Sequence, residues 1–292
     1  MNPLAEAWRG RGRVVRLCDR QIFTVDLPAQ GTALLPPLLV LHGFPTSSFD
    51  FHRVVGGLAA HRRVILFDML GFGLSEKPDV AYRLAAQADL AVALTASLEI
   101  DRLGLLTHDI GDTVGGELLA RQMEGSWDVE ITDRVLANGS IYIELAHLSA
   151  GQVFLLDLPD RRLDDDALVD RSTVLAGLAA TLGPGAAVDD DEAGAQWEMI
   201  AHLEGHRLLP RTIRYIEERR HNEARFTTAI EEHPSPLTVV WGDDDPIAVV
   251  AMTGRLLRAR PDTGLHLLDR VGHYPMIEAP DRFLDALAAA SR

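Results

Sequence analysis

The stretch Leu103-Gly104-Leu105-Leu106-Thr107-His108-Asp109-Ile110-Gly111-Asp112 decides the reading of this chain. An apolar strand, Leu103–Leu106, ends at Thr107, and a helix starts near Asp112 and runs through Thr113–Met123. Between them, residues 107–111 have the form small-x-nucleophile-x-small, the pattern of a sharp strand-to-helix turn that exposes its central side chain. Gly111 permits the tight turn and close packing behind it. Asp109 stands where such turns commonly carry serine. Aspartate also caps helices, but Asp112 fits the cap better and leaves Asp109 free for chemistry. A carboxylate is a poor nucleophile towards a carbonyl, because the anhydride it forms reverts. It can displace a leaving group from saturated carbon and form an ester, which points to opening a C–O or C–halogen bond.

The surrounding sequence has an α/β pattern. Val14–Leu17 and Ile22–Val25 read as two short strands joined by a polar turn at Asp19 and Arg20. Pro37–Leu41 and Val64–Phe67 are continuous apolar runs, as expected of strands buried on both faces. Val135–Ala137, Leu237–Trp241 and Leu265–Leu268 repeat the pattern. Helical stretches alternate with them at Leu84–Leu98, Ala248–Arg258 and Arg282–Ala290. Such alternation predicts a mostly parallel sheet of about eight strands with helices on both faces. It breaks between about Gly139 and Pro234, where Thr173–Leu182, Gln196–Leu203 and Arg211–His221 read as helices and no strand is obvious. A helical lid inserted after the sixth strand is the expectation, with 1–139 and 234–292 as the core and 140–233 as the lid. The acidic runs at 164–166 and 189–192 mark turns or helix starts, and Gly183-Pro184-Gly185 marks a lid loop.

The chain has 292 residues, 47% of them hydrophobic, enough for a large core. No apolar run approaches the roughly 20 residues of a membrane span, and residues 1–27 lack the apolar centre of a signal peptide. Cys18 is the only cysteine, so no intramolecular disulfide forms and the cytoplasm is the expected location. A formal net charge of −15 argues against nucleic acid and anionic membranes as partners. A homodimer stays open. There is no dinucleotide fingerprint, P-loop or zinc helix, since His202 and His206 flank Gly205 and lack a glutamate at 203. No cofactor or metal is expected.

Three further segments belong with the elbow: Leu41-His42-Gly43-Phe44-Pro45, Trp241-Gly242-Asp243-Asp244-Asp245-Pro246 and Gly272-His273-Tyr274-Pro275. In order and spacing the four resemble the α/β-hydrolase superfamily over nearly the whole chain. Within it the chain resembles the aspartate-nucleophile branch of soluble epoxide hydrolases and haloalkane dehalogenases. Asn138-Gly139-Ser140 and His273-Tyr274-Pro275 also resemble the mesoderm-specific-transcript-like members. The resemblance implies His273 as the base that activates water, and it selects Asp245, before Pro246, from three neighbouring aspartates as the partner of His273. It implies an oxyanion hole from the backbone N–H groups of Phe44 and Ile110, both also expected to touch substrate. His42 reads as a loop brace. Ser75 lacks the Gly-x-Ser-x-Gly surroundings of a nucleophile.

Two chemistries divide that branch. A dehalogenase holds the departing halide with side-chain N–H donors, but here the usual donor positions are Phe44 and Ile110, which have none. Trp197, an expected substrate contact, could supply one. An epoxide hydrolase instead protonates the opening oxygen with a pair of lid tyrosines. Tyr215 precedes Asp245 by 30 positions, as the second family tyrosine does, and Tyr142 begins the lid. The sequence therefore reads as an epoxide hydrolase acting on a small apolar or aryl epoxide with water. A dehalogenase-like enzyme and a non-catalytic ligand-binding homologue are the alternatives.

Overall fold

A computed structural model describes residues 2–290, the side chain of Ala290 excepted. Its eight strands are β1 (Gly12–Leu17), β2 (Arg20–Leu27), β3 (Leu38–Leu41), β4 (Val64–Phe67), β5 (Arg102–His108), β6 (Glu130–Ala137), β7 (Leu237–Gly242) and β8 (Gly264–Leu268). They form one sheet in the order β1-β2-β4-β3-β5-β6-β7-β8, and only β2 runs against its neighbours. Alternation of side chains explains why the central strands are wholly apolar. Leu39, Leu41, Ile65 and Phe67 join one hydrophobic cluster, while Leu38, Val40, Val64 and Leu66 join the other. Each strand thus feeds a core on both faces. Edge strand β1 is different, with exposed Arg13 and Val14 that need no second layer.

The first hairpin turns at Cys18 and Asp19, both with positive φ, and Arg20 already belongs to β2. Two consecutive left-handed residues match the right-handed twist of the strands they join. After β3 the chain moves to β4 on one side and then to β5 on the other. The loops following β3 and β5 therefore diverge at the sheet's carboxyl edge, where open α/β sheets bind ligands. Leu41 pairs with Thr107, which brings Phe44 and Asp109 together just beyond the paired strands.

Between β6 and β7 the ordered elements are helices and 3₁₀ turns. Helix Ala150–Asp157 starts with a reciprocal cap between Ser149 and Gln152. Asp170 and Asp189 accept the amides of Thr173 and Glu192, so helices Arg171–Ala179 and Asp190–Ala201 start earlier than their apolar patterns suggest. Helix Tyr215–Glu232 continues past the expected end at His221 and is interrupted only by a kink at Asn222. It lies against helix Ile110–Met123, where a side chain at Gly116 would meet Phe226 at 3.1 Å. Arg225 reinforces the contact through Glu117 at 2.6 Å and Glu124 at 2.6 Å. Among the described residues no helix is long and apolar enough to cross a membrane.

Candidate active site

The turn after β5 is sharper than the sequence suggested. β5 continues to His108, which pairs with Ala137, and the next helix begins at Ile110. Asp109 alone makes the turn, at φ 52° and ψ −114°, a conformation that costs a non-glycine residue energy and recurs at functional sites. Its side chain makes no helix-capping bond. The close approach behind it requires Gly111, since a Cβ there would lie 2.5 Å from the Leu41 carbonyl oxygen. Asp112 is not the cap either. It is buried in the helix's first turn, neither carboxylate oxygen has a partner of ordinary geometry, and burial pushes its carboxyl well above the usual range.

Phe44 N–H donates to Asp109 Oδ2 at 2.8 Å. This fixes one of the two carboxylate oxygens. Ile110 N–H opens the helix, where the first amides have no intrahelical acceptor. The Ile110 side chain packs into the core. The Phe44 loop is braced by Tyr274, whose hydroxyl donates to the Phe44 carbonyl at 3.0 Å. His42 donates from Nδ1 to Gly43 O at 2.8 Å and accepts the Met69 amide at Nε2, 3.0 Å away. Burial lowers its pKa, so it is a neutral structural imidazole. Ser75 is engaged elsewhere, donating to Asp68 O and accepting from Phe23 N.

His273 Nδ1 lies 2.8 Å from Asp245 Oδ2, and both groups are buried. Asp245 also accepts from Asn138 Nδ2 (2.8 Å), Ile247 N (2.7 Å) and Ala248 N (3.0 Å). Burial opposes its ionisation, but His273 and these donors outweigh it and hold the carboxyl below the usual range. Asp243 and Asp244 are more exposed. Burial likewise disfavours protonated His273, but Asp245 and then Asp109 reverse the effect and raise it to about 9. His108 Nε2 donates to the His273 carbonyl at 2.8 Å. Burial and the neighbouring His273 push His108 down to about 4, which keeps it neutral.

The helical segment supplies the opposite wall. Tyr215 is buried, its ring 5.6 Å from that of Phe44 and 5.2 Å from the Arg219 guanidinium. Its hydroxyl has no hydrogen bond of ordinary geometry. Burial and then the Asp109 charge raise its pKa, so the phenol remains a neutral donor. Tyr142 is turned elsewhere: its hydroxyl donates to Glu231 Oε1 at 2.7 Å, and its ring lies under Arg255. Trp197 packs on His206 and does not line the neighbouring cavity. That cavity, about 80 Å³ and mostly apolar, is walled by Phe44 and His273 on one side and by Gln152, Leu155, Val174 and Leu178 on the other.

The structure thus brings together Asp109, His273, Asp245, Phe44, Ile110 and Tyr215, and it separates Tyr142 and Trp197 from them. Sequence reasoning missed His108, adjacent to Asp109, and the bonds of Asn138, which it met only as part of a resembling stretch. No group of three or more His, Cys, Asp or Glu side chains among the described residues is arranged to hold a metal.

Comparison with known proteins agrees with the architecture. The profile of the "Alpha/beta hydrolase family" matches residues 38–286. "Putative hydrolase LipZ" of Mycobacterium tuberculosis is 35% identical over 288 residues, covering 98% of this chain and 97% of its own. The human "Mesoderm-specific transcript homolog protein" is 31% identical over 294 residues, covering 98% and 87% respectively. A haloalkane dehalogenase loop variant from Bradyrhizobium elkanii shares the fold with a TM-score of 0.75 at 17% identity, covering 95% of each chain. With the sheet order, the elbow and the histidine–aspartate pair in place, this chain belongs to the α/β-hydrolase family.

Proposed function

We propose that the protein is an epoxide hydrolase that works through an ester on Asp109, with the helical segment between β6 and β7 as its lid. Asp109 Oδ1 attacks an epoxide carbon. The C–O bond breaks, and the oxygen takes the Tyr215 hydroxyl proton, leaving a hydroxy ester and a tyrosinate. His273 then takes a proton from water, which attacks the ester carbonyl carbon. The N–H groups of Phe44 and Ile110 stabilise the oxyanion. Collapse releases the diol, its alkoxide taking the His273 proton, and leaves Asp109 as a carboxylic acid; the loss of its proton restores the carboxylate and matches the proton that the Tyr215 phenolate regains.

The observation that carries this reading is a buried, neutral Tyr215 phenol whose hydroxyl has no protein partner of ordinary geometry and whose ionisation the nearby Asp109 charge opposes. Bromide leaves without a proton, so dehalogenation has no use for such a donor. It needs N–H donors for the halide, and the four tryptophans do not provide them. Trp8 donates to Ser48, Trp241 to the Ala248 carbonyl, Trp127 precedes β6 at the opposite edge of the sheet, and Trp197 faces His206. A purely ligand-binding role leaves the ordered His273–Asp245 pair unexplained.

The test is a parallel assay of aryl epoxides, bromoalkanes and p-nitrophenyl esters, with turnover in heavy-oxygen water. Epoxide turnover should label the Asp109 peptide over repeated cycles, and Asp109→Ala should abolish it. Full activity in the alanine variant, or turnover confined to bromoalkanes or nitrophenyl esters, would end the proposal.

A further inference from the structure

We propose that Glu278 is a positioning residue that ties the His273 loop to the lid, so that the histidine is aligned only when both are in place. What His273 does is taken from the reading above; the tie itself is a matter of geometry. Glu278 ends the short helix Pro275–Glu278, and its carboxylate gathers three backbone amides. Oε2 accepts Gly272 N at 2.9 Å and Gly183 N at 2.7 Å, while Oε1 accepts Tyr274 N at 2.9 Å. Two of these amides flank His273, and the third belongs to the lid.

Around this carboxylate the two backbones touch. A Cβ on Gly272 would lie 2.3 Å from Gly183 N, and one on Gly183 would lie 2.8 Å from Gly272 N. His273 N donates to the lid carbonyl of Thr181 at 2.9 Å. Three converging N–H groups need an acceptor-only partner, and among side chains only an ionised carboxylate is one. A glutamine amide must turn its NH₂ group towards either Tyr274 N–H or the Gly183–Gly272 pair, setting donor against donor. Around His273 the other charged and titratable groups include Asp245, Asp109, His108, Asp50, Asp112 and Tyr274; Glu278 adds a further negative charge that favours the imidazolium.

The two chemical steps should respond unequally to the loss of this tie. Attack of Asp109 on the epoxide uses no base, whereas hydrolysis of the ester needs a correctly aimed His273. A misplacement of about 1 Å can cost on the order of 100-fold.

The experiment compares Glu278→Gln and Glu278→Asp with the parent. In single-turnover mass spectrometry, Glu278→Gln should form the Asp109 ester at the parental rate and hydrolyse it about 10- to 100-fold more slowly. Glu278→Asp, which keeps the charge but shortens the reach, should fall between. Hydrogen exchange at the amides of Gly183, Gly272 and Tyr274 should quicken in both variants, and an NMR titration of His273 should move down in Glu278→Gln. Unchanged exchange and unchanged ester hydrolysis would overturn the proposal. So would equal losses in both steps accompanied by a lowered Tm. If no epoxide ester forms even in His273→Gln, the reaction reading fails, while faster exchange at the three amides still supports the tie.

Discussion

The loops at the carboxyl edge of the sheet and the helical segment between β6 and β7 opposite them treat polar groups in contrasting ways. On the loop side, Asp245 accepts from four donors, and His273 is held through Nδ1, its amide and its carbonyl. On the opposite side, the Tyr215 hydroxyl, Arg219 Nε and Nη1 and Gln196 Oε1 lack partners of ordinary geometry, while at the elbow His108 Nδ1 and both oxygens of Asp112 do. Buried polar groups are usually paired, and exceptions need a reason. The loop side is over-determined and fixes geometry. The helical side leaves polar groups uncommitted, and in the proposed mechanism they face the changing charge of the substrate. In the proposed mechanism the loops supply base and nucleophile, and the lid supplies the acid.

The largest expected effect breaks the loop side at its base. His273→Gln should abolish turnover while leaving ester formation intact, since attack at saturated carbon needs no base but water does. Mass spectrometry of the variant with an aryl epoxide should show a stable adduct on Asp109. Normal turnover, or no adduct despite binding, would give His273 a different role.

Breaking the lid side comes next. Tyr215→Phe keeps the ring against Phe44 and Arg219 and deletes only the hydroxyl, so it tests chemistry rather than packing. Loss of a general acid costs on the order of 10²–10⁴ in rate, and epoxide opening should slow by that amount with circular dichroism unchanged. A side activity on a bromoalkane should suffer far less. Equal losses on both would assign Tyr215 to packing. Tyr142→Phe should have little effect on the opening step, because its hydroxyl is committed to Glu231.

The contrast between the two sides also governs what could be read in advance. The central strands and the elbow were legible because alternation and the nucleophile turn are local patterns. β6 starts at Glu130, five residues before the apolar signal at Val135, because its charged residues find distant partners. Asp133 pairs with Arg62 at 3.0 Å, and buried Arg134 donates to carbonyls of Ile230, His233 and Ser235. The family pattern led to the His273–Asp245 pair. Tyr142 and Trp197 were harder to place because only tertiary contacts, with Glu231 and His206, decide which way they face. His108 carries no signal apart from its neighbour, since its bond to the His273 carbonyl spans 165 positions.

pH should separate the two steps more gently. In the resting enzyme, burial lowers the His273 pKa, and Asp245 with the Asp109 charge lifts it to about 9. Esterification removes the Asp109 charge, so the pKa of His273 must fall as it becomes the base. Ester hydrolysis should rise with pH and level off at an apparent pKa below about 9. Below that value it should change about tenfold per pH unit. Quenched single-turnover mass spectrometry across pH 5–10 measures this directly. An ester that decays at the same rate throughout would show that His273 is not the base.

The smallest effect tests how far the loop side is over-determined. Asn138 is buried at φ 45°, a left-handed conformation that asparagine tolerates better than alanine. Its Oδ1 accepts Gly242 N at 2.9 Å, and its Nδ2 reaches Asp245 Oδ2 at 2.8 Å and the carbonyls of Gly242 and Gly272 at 3.3 Å. It therefore joins the ends of β6 and β7 to the His273 loop. Asn138→Ala should cost on the order of 1–3 kcal/mol of stability, from unsatisfied Gly242 N–H and the lost bond to a charged group. Asp245 keeps its other three donors, so ester hydrolysis should slow by no more than about tenfold. Asn138→Gly removes the same bonds without the backbone penalty and should recover part of the stability but none of the rate. Denaturant melts and ester-decay rates on the two variants check both parts. If glycine restores the rate as well, the asparagine serves the backbone turn alone, and Asp245 is fixed by its remaining partners.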